Sequence, residues 1–179
     1  TEAYGKHLLH HYEGELSLHV HLGLYGTVTD GELPTPAPVG QVRLRLTGDG
    51  HWLDLRGPAA CELFTPIEVE ALRDRLGADP LRDDADPAAA YRRISTSRTP
   101  LAALLLNQSV VAGTGLVYVT EVLFRAGIAP TTPGYELTEE QWRQLWTDLS
   151  ALMKEGVANG RIDTVHSAHT PEAMGRPPR

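Results

Sequence analysis

Apolar residues recur at the spacing of an α-helix in the second half of the chain. Leu101, Leu104 and Leu105 predict a short helix. Thr99 and Pro100 stand before it as a capping residue and a proline at the first helical position. The apolar pattern then breaks at a stretch of polar residues and glycines and resumes after it, which predicts a second helix.

The stretch between these two helices predicts a tight double turn that depends on glycine. Gly113 and Gly115 lie at its end, directly before the second helix, which is expected from about Leu116. A helix that begins after such a turn leaves its first amides unpaired, here those of Gly115, Leu116 and Val117. Unpaired amides at a helix N-terminus make a site for a phosphate-sized anion.

The second helix is expected to turn Val119, Leu123 and Phe124 inward. Gly127 suits the left-handed position just past a helix end, and Pro130 prevents the helix from resuming. Two short apolar helices that bury one another are therefore the central element of the chain.

Residues 1–63 alternate between apolar and polar positions, which predicts β-strands. Runs at 5–12 and 15–26 are joined by a hairpin-like turn at Glu13 and Gly14. In the second run one face carries Leu16, Leu18, Val20 and Leu22, and the other carries Ser17, His19 and His21.

A second hairpin is predicted over 41–55, with its turn at 48–50. A proline-rich loop precedes it and is expected to be exposed. The core-facing positions of the hairpin are expected to be Val42, Leu44 and Leu46, with Arg43 and Arg45 pointing outward.

Capping patterns predict the remaining helices. Thr65 with Glu68, and Thr138 with Gln141, have the spacing of helix caps. The helices are expected over 66–76, 87–95 and 139–158. The acidic, aperiodic segment 78–86 is predicted to be a linker between a β-rich part and a helical part.

The overall charge of the chain argues against nucleic acid. The sequence has 16 Lys and Arg against 23 Asp and Glu, a net charge of −7, whereas phosphate binding normally needs a basic surface. Arg92, Arg93 and Arg98 nevertheless lead directly into the central helix pair. A local basic face on an acidic protein is therefore compatible with the sequence.

The candidate metal ligands do not form a recognisable site. The single cysteine, Cys61, excludes an internal disulfide and a multi-cysteine zinc site within these residues. His19 and His21 share a strand face, but no Asp, Glu or Cys set at ligand spacing accompanies them. They are expected to be solvated strand-face histidines, and no bound metal is predicted.

No apolar run of the sequence is long enough to span a membrane, and no leader pattern opens it. A hydrophobic content of 41% with 22% charged residues is typical of a globular protein. A cytoplasmic location without membrane contact is therefore expected.

Several ordered blocks of the sequence resemble the formamidopyrimidine-DNA glycosylase / endonuclease VIII family. The blocks ALLLNQSVVAGTG and EVLFRAGIAP resemble the family's helix–two-turn–helix. The blocks GPAACEL, LGADPLRDDADP and GRIDTVHSAHTPEAMGRPPR are similar to the actinobacterial endonuclease VIII-like branch. The resemblance covers nearly the whole chain.

The resemblance implies an α+β fold in two parts. Residues 1–77 would be the C-terminal part of an antiparallel β-sandwich domain, 87–160 an all-α helix–two-turn–helix domain, and 161–179 a tail leading toward a zinc finger. The family consists of base-excision repair enzymes, which bind damaged double-stranded DNA, flip out oxidised bases and cut the abasic site. A bacterial, nucleoid-associated protein is implied.

The resemblance also implies roles for individual residues. Lys6, on the first predicted strand, matches the lysine that contacts the phosphate beside the lesion and assists strand cleavage. Leu24 matches the apolar wedge that enters the stack vacated by a flipped base, although a turn leucine in the core is an equal alternative. Arg56 matches the arginine that faces the opposite base, but the aromatic residue expected after it is absent. The remaining DNA-binding candidates are Arg98, Gln108, Gly113, Gly115, Leu116 and Val117.

Leu116 departs from the family pattern. The family places an asparagine there that binds the same phosphate as the lysine, and leucine cannot donate a hydrogen bond. The backbone amides survive this change. Weaker DNA binding is therefore expected, rather than none.

The resemblance places the chemistry outside these residues. The family uses the amine of an N-terminal proline, which attacks the sugar, and an adjacent glutamate as acid. Glu2 does not match that glutamate, because the sequence after it belongs further along the family's domain. The residues as given are expected to be inactive alone, with zinc only in the missing finger and no cofactor in this chain.

Two other functions remain open from the sequence. A non-catalytic DNA-binding module would keep the helix–two-turn–helix and lose the chemistry. A second alternative uses the same helix pair for RNA or protein contacts. An incomplete sandwich is also expected to expose apolar strand edges, which predicts a non-native dimer.

Overall fold

A computed structural model describes residues 1–164 of the 179. It divides into two compact units, Thr1–Arg75 and Leu76–Arg179, which we call the strand unit and the helical unit. Antiparallel sheets in the first and helices in the second confirm the predicted α+β class. Residues 165–179, most of the predicted tail, lie outside the described residues.

The strand unit contains seven strands and one helix. They are β1 (Glu2–Tyr4), β2 (His7–His11), β3 (Ser17–His21), β4 (Thr27–Glu32), β5 (Leu44–Gly48), β6 (His51–Arg56), β7 (Ala60–Phe64) and α1 (Pro66–Arg75). One antiparallel sheet has the order β1-β2-β3-β7 and the other the order β4-β6-β5. Strand β3 thus pairs with β7. In the other sheet β5 and β6, the two strands of the predicted second hairpin, pair with each other, and β6 also pairs with β4.

The core of the strand unit forms where the sequence predicts it on β3. Leu18, Val20 and Leu55 are buried together, with Leu44 and Cys61 packed against them. Leu46 was expected to face the core as well, and this is wrong, because it is 37% exposed. Leu16 and Leu22, predicted to share a face with Leu18 and Val20, are 41% and 40% exposed. Leu16 and Leu22 lie beyond the ends of β3.

The opposite face of β3 is also buried, which corrects the prediction of solvated histidines. His19 is 3% exposed and Ser17 5%. Leu9 of β2, which pairs with His19, has no exposed surface, and Val69 and Leu72 of α1 are buried as well. Alternation on β3 therefore separates two covered faces rather than a core face and a solvent face.

Arg45 does not point outward as predicted. Its guanidinium makes two hydrogen bonds to the Asp54 carboxylate, at 2.6 and 2.8 Å, across the β5–β6 pair. Asp54 has no exposed surface, and the Arg45 guanidinium holds the pKa of that carboxyl below its usual range. The arginine neutralises a buried acid, a pairing that alternation alone does not reveal.

The helical unit contains four α-helices and one 3₁₀ turn among its described residues. They are α2 (Pro87–Ile94), α3 (Leu101–Leu106), α4 (Leu116–Arg125), the 3₁₀ turn Gly134–Glu136 and α5 (Glu139–Asn159). One apolar core joins all four helices, and its members with at most 2% exposure include Ile94, Leu101, Leu105, Val111, Val119, Leu123 and Leu149. Burial of Val119 and Leu123 is confirmed, whereas Phe124 is 81% exposed and its predicted burial is wrong.

Most predicted helix ends are confirmed. Thr138 and Gln141 form a capping box at the start of α5. Gly127 and Gly160 follow α4 and α5 with φ of 65° each, the left-handed conformation that glycine adopts readily. Thr99 is not the cap of α3, because Pro100 occupies that position and makes no side-chain bond.

The segment predicted as a linker, 78–86, belongs to the helical unit. Ala78 accepts a hydrogen bond from the Ala112 amide at 2.9 Å and forms a β-bridge with Val111. Asp79 is 4% exposed and accepts from the Leu81 amide. The chain is thus held against the double turn before α2 begins.

No helix among residues 1–164 is both long enough and apolar enough to cross a membrane. On the strand unit, Leu8, Val28 and Leu63 are 42%, 46% and 58% exposed. The dimer expected from exposed strands stays a prediction.

Candidate nucleic-acid interface

The first part of the double turn is closed by Asn107 at the end of α3. Its main-chain carbonyl accepts hydrogen bonds from the Val110 and Val111 amides at 2.8 and 3.0 Å. Its side-chain oxygen accepts from the Ser109 amide and hydroxyl, both at 3.0 Å. Asparagine favours such local turns, so this half of the connection is fixed by adjacent residues.

The second part of the turn is closed by Gln108 and Thr114. The Gln108 side chain bonds to main-chain groups of Leu106, Gly113 and Thr114. Thr114 has no exposed surface, and its hydroxyl donates to the Leu105 and Val111 carbonyls. Gly113 has φ of 85°, which a residue with a side chain rarely adopts.

Helix α4 begins directly after this turn with unpaired amides. Its cap residue is Gly115, which offers no side chain to accept from them. The amides of Gly115, Leu116 and Val117 find no acceptor among residues 1–164, since the first main-chain bond runs from Val119 to the Gly115 carbonyl. Leu116 is 65% exposed, so the helix start is open to a ligand. Such a start attracts anions through its amides and the helix dipole.

Two arginines of the helical unit precede the helix pair in the sequence, and one of them contacts the double turn. Arg98 is exposed and has no hydrogen-bond or ion-pair partner within the described part of the chain. Arg93 donates to the Ser109 carbonyl at 2.5 Å, which places a cation on the double turn itself. The sequence draws attention to Arg93 only as a basic residue before the helix pair, and its contact with Ser109 could not be read from it.

Lys6 lies in the two-residue turn between β1 and β2, which corrects its predicted place on a strand. Its side chain is exposed, yet nearby protein lowers the pKa of its amine through partial burial. A lysine at a hairpin tip can reach a ligand without bending a strand. The preceding residue, Gly5, has φ of 58°, which suits this tight turn.

Leu24 stands at the tip of the turn between β3 and β4 and is 93% exposed. The alternative of a core leucine is therefore excluded. Tyr25 beside it is 84% exposed. An apolar pair held out on a turn has the shape required of a wedge that enters a base stack.

Arg56 is held inside the strand unit. Its three guanidinium nitrogens donate to the Val39 carbonyl at 3.0 Å, the Thr29 hydroxyl at 2.7 Å and the Asp54 carboxylate at 2.7 Å. A contact with a base would require the side chain to give up part of this network. Arg56 and Arg45 together neutralise Asp54.

The histidines of the strand unit form a stacked cluster. His7 Nδ1 lies 2.9 Å from His19 Nε2, and the His7 ring stacks on both the His19 and the His21 rings. His19 Nδ1 lies 3.4 Å from the Glu62 carboxylate. Among residues 1–164 no group of three or more His, Cys, Asp or Glu side chains could hold a metal ion.

The pKa of His7 predicts acid sensitivity of the strand unit. Burial, the nearby His21 and His19, and Arg75 lower the pKa of His7 from 6.5 to about 4. The unfolded chain therefore binds more protons between these values, and stability is lost as the pH falls through that window. We expect the free energy of unfolding to drop by about 1–2 kcal/mol between pH 7 and 5, in urea titrations.

A matched pair of variants checks this assignment. His7→Gln should reduce the decline above pH 5, and the neighbouring His19, whose pKa burial also lowers, should supply the remainder. His51→Gln, at an exposed histidine of β6, should leave the decline as in wild type. Carboxyl groups with lowered pKa, such as Asp54 and Glu68, titrate below that range and do not interfere. If the free energy of unfolding fell equally with pH in both variants, His7 would not be a source of the acid sensitivity.

The helical unit thus defines a class, a helix–two-turn–helix protein that presents open amides at the start of its second helix. Residues 76–167 match the formamidopyrimidine-DNA glycosylase H2TH domain, just over half of the chain. The chain belongs to the formamidopyrimidine-DNA glycosylase / endonuclease VIII family, as the sequence resemblance predicts.

Curated relatives agree with this membership. The chain is 49% identical over 173 residues to "Endonuclease 8 1" of Mycobacterium tuberculosis (strain ATCC 25618 / H37Rv), covering 94% of this chain and 65% of that protein. It is 34% identical over 176 residues to a formamidopyrimidine-DNA glycosylase of Rhodospirillum rubrum, covering 94% of this chain and 62% of that protein. The chain therefore spans a little under two thirds of the length of these relatives.

Solved structures share the fold. Lactococcus lactis formamidopyrimidine-DNA glycosylase, bound non-covalently to DNA with an abasic site, superposes with a TM-score of 0.76. The superposition covers 89% of this chain and 63% of the other, at 23% identity. At this identity the likeness supports the fold alone.

Proposed function

We propose that the protein is a base-excision repair DNA glycosylase and abasic-site lyase, and that these 179 residues hold the damaged duplex. The observation that carries the proposal is the open start of α4 within a segment that matches the family's H2TH domain. Named relatives are DNA glycosylases and endonucleases, and one structural neighbour holds DNA with an abasic site.

In this proposal the helical unit binds the phosphate backbone. The amides of Gly115, Leu116 and Val117 donate to one phosphate, and Gly113 shapes the turn that presents them. Arg98, which is exposed and unpaired among the described residues, supplies a long-range attraction. Phosphate contacts of this kind fix the position of a duplex but do not read its sequence.

The strand unit would recognise the lesion. Lys6 contacts the phosphate beside the damaged nucleotide and assists strand cleavage. Leu24 fills the gap left by the flipped base, which offsets part of the unstacking cost of a few kcal/mol. Arg56 faces the opposite base only after releasing a partner such as Val39 or Thr29.

The chemistry belongs to the whole protein in this proposal. An amine attacks the sugar C1′, the base leaves, and the resulting Schiff base permits strand cleavage. Glu2 is not placed as the catalytic acid, because it lies on β1 and is paired with Arg73 at 2.8 Å. The single cysteine, packed against the core of the strand unit, cannot form a four-cysteine zinc site.

Binding to three duplexes tests the proposal. We expect the chain to bind a duplex with an abasic-site analogue at least about 10-fold more tightly than undamaged DNA, because an empty position needs no base extrusion. Fluorescence anisotropy at two salt concentrations would measure this. The proposal would be contradicted if the chain bound an RNA duplex as tightly as the abasic DNA duplex. It would also be contradicted if the chain bound neither DNA duplex at low salt.

A non-catalytic DNA-binding module is the second candidate, favoured by Leu116 and the net charge of −7. Borohydride trapping on an abasic oligonucleotide separates the two functions, because a covalent adduct requires the amine. The 179 residues should give no adduct under either function, whereas the whole protein should give one only if it is an enzyme.

A further inference from the structure

The side-chain amide of Gln108 joins three main-chain groups on both sides of the double turn. Its nitrogen donates to the Leu106 carbonyl at 2.9 Å and to the Thr114 carbonyl at 3.1 Å. Its oxygen accepts from the Gly113 amide at 3.0 Å. An amide nitrogen has two hydrogens, so both donors of Gln108 are used.

These bonds leave Gln108 without a donor for DNA. A phosphate oxygen accepts hydrogen bonds and cannot donate one to the Gln108 oxygen. The side chain is half-buried, and its main-chain carbonyl is also engaged, by the Gly77 amide at 2.8 Å. We call the three side-chain hydrogen bonds of Gln108 the clasp. Direct contact of Gln108 with a phosphate, as expected from the sequence, would require the clasp to open.

The bond to Thr114 sets the direction of the next amide. A peptide unit is planar and trans, so its C=O and N–H groups point to opposite sides. The Thr114 carbonyl is turned toward Gln108, and the Gly115 N–H of the same peptide unit is therefore turned away from it. That N–H is the first of the unpaired amides at the start of α4.

The buried Thr114 side chain holds the same peptide unit from its other end. Its hydroxyl has one hydrogen, which is shared between the Leu105 carbonyl at 2.5 Å and the Val111 carbonyl at 3.2 Å. These bonds fix where Thr114 sits, while Gln108 fixes how its carbonyl is rotated. Rotation is what decides whether the Gly115 amide faces a ligand.

We infer that Gln108 is a positioning residue for phosphodiester binding and does not itself touch DNA. It holds the Thr114–Gly115 peptide in the one rotation that presents the Gly115 amide to the phosphate. The inference rests on the proposed function, since the phosphate site at α4 is part of it. Gln108 would thus affect phosphate binding indirectly, through the orientation of the Thr114–Gly115 peptide.

Salt dependence distinguishes this role from that of a charged contact. A lysine or arginine on a phosphate releases counterions, so its loss reduces the slope of log K against log salt by about 0.9. An amide carries no net charge and releases none. Loss of Gln108 should therefore weaken binding at every salt concentration without changing that slope.

Gln108→Met tests the inference in the 179-residue chain, with Gln141→Ala as the matched control. Methionine keeps the length of the side chain and removes its hydrogen bonds, and Gln141 caps α5, so its loss affects stability without touching the double turn. We expect Gln108→Met to bind the abasic duplex about 10-fold more weakly with an unchanged salt slope. Gln141→Ala should bind as the wild type does, and Arg98→Ala should reduce the slope.

A second measurement applies even if Gln108→Met is less stable. Titration with dimethyl phosphate, followed by amide NMR below the melting temperature of both variants, should shift the Gly115, Leu116 and Val117 signals in wild type and Gln141→Ala. These shifts should be lost in Gln108→Met. If wild type binds DNA and Gln108→Met binds equally well with the same shifts, the inference is wrong. If wild type binds no duplex, the proposed function fails instead.

Discussion

Replacing Gly77 by alanine is expected to destabilise the helical unit by about 2–4 kcal/mol. A Cβ atom at this position would overlap the main-chain carbonyl of Val110 and lie 2.7 Å from the Ser109 carbonyl oxygen. Neither neighbour is a flexible side-chain end, so the main chain itself must move. Urea denaturation followed by circular dichroism would measure the loss.

The same substitution should also weaken DNA binding, because Ser109 and Val110 belong to the double turn. Gly48→Ala is the matched control, since a Cβ at Gly48 meets nothing within 4 Å. It should change the free energy of unfolding by less than about 1 kcal/mol. If the two variants were equally stable, the main chain around Gly77 would be able to move and accommodate the added Cβ atom at little cost, and the prediction would be wrong.

Replacing Leu116 by asparagine is expected to tighten binding to the abasic duplex by about 10-fold. Leu116 is 65% exposed at the open start of α4, and the resemblance of the sequence to the family implies an asparagine at this position. The new amide would add a donor beside main-chain donors that are already in place. Fluorescence anisotropy with the abasic and undamaged duplexes would measure the change.

Phe124→Asn provides the control for this gain. Phe124 lies in the last turn of the same helix and is 81% exposed. This variant therefore also replaces an exposed apolar side chain of α4 by asparagine, but it leaves the helix start untouched. Binding should remain as in wild type. If Leu116→Asn gave no gain while wild type bound DNA, the phosphate would not lie at the first turn of α4.

Local signals in the sequence were sufficient for most helix ends, although not for the cap of α3. The capping box of Thr138 and Gln141 and the left-handed Gly127 depend on residues within one turn of each other. For the same reason the double turn could be located from its glycines. The predicted burial of Phe124 is wrong because the buried face of α4 consists of Val119, Val122 and Leu123, and Phe124 lies beside that face.

Features set by distant residues could not be predicted. His19 alternates with core residues and therefore looked solvated, but its face of the sheet is buried too. Arg45 was expected to point outward and Arg56 to face the opposite base, whereas both pair with the buried Asp54. The clasp made by Gln108 was missed in the same way, since nothing in the sequence shows which carbonyls its amide will meet.

The pairing of β3 with β7 has a consequence for the order of folding. His19 and Glu62, which lie opposite each other in this pair, are 43 residues apart in the chain. The segment between them contains the whole of the other sheet, so loop closure at this distance must precede the last strand pairing of the first sheet. Helices α3 and α4 are joined by residues 107–115 and therefore meet at shorter range. Until β7 pairs with it, β3 has an open edge that can capture a strand of another chain. Kinetic competition between β7 and such partners then decides the yield of refolding.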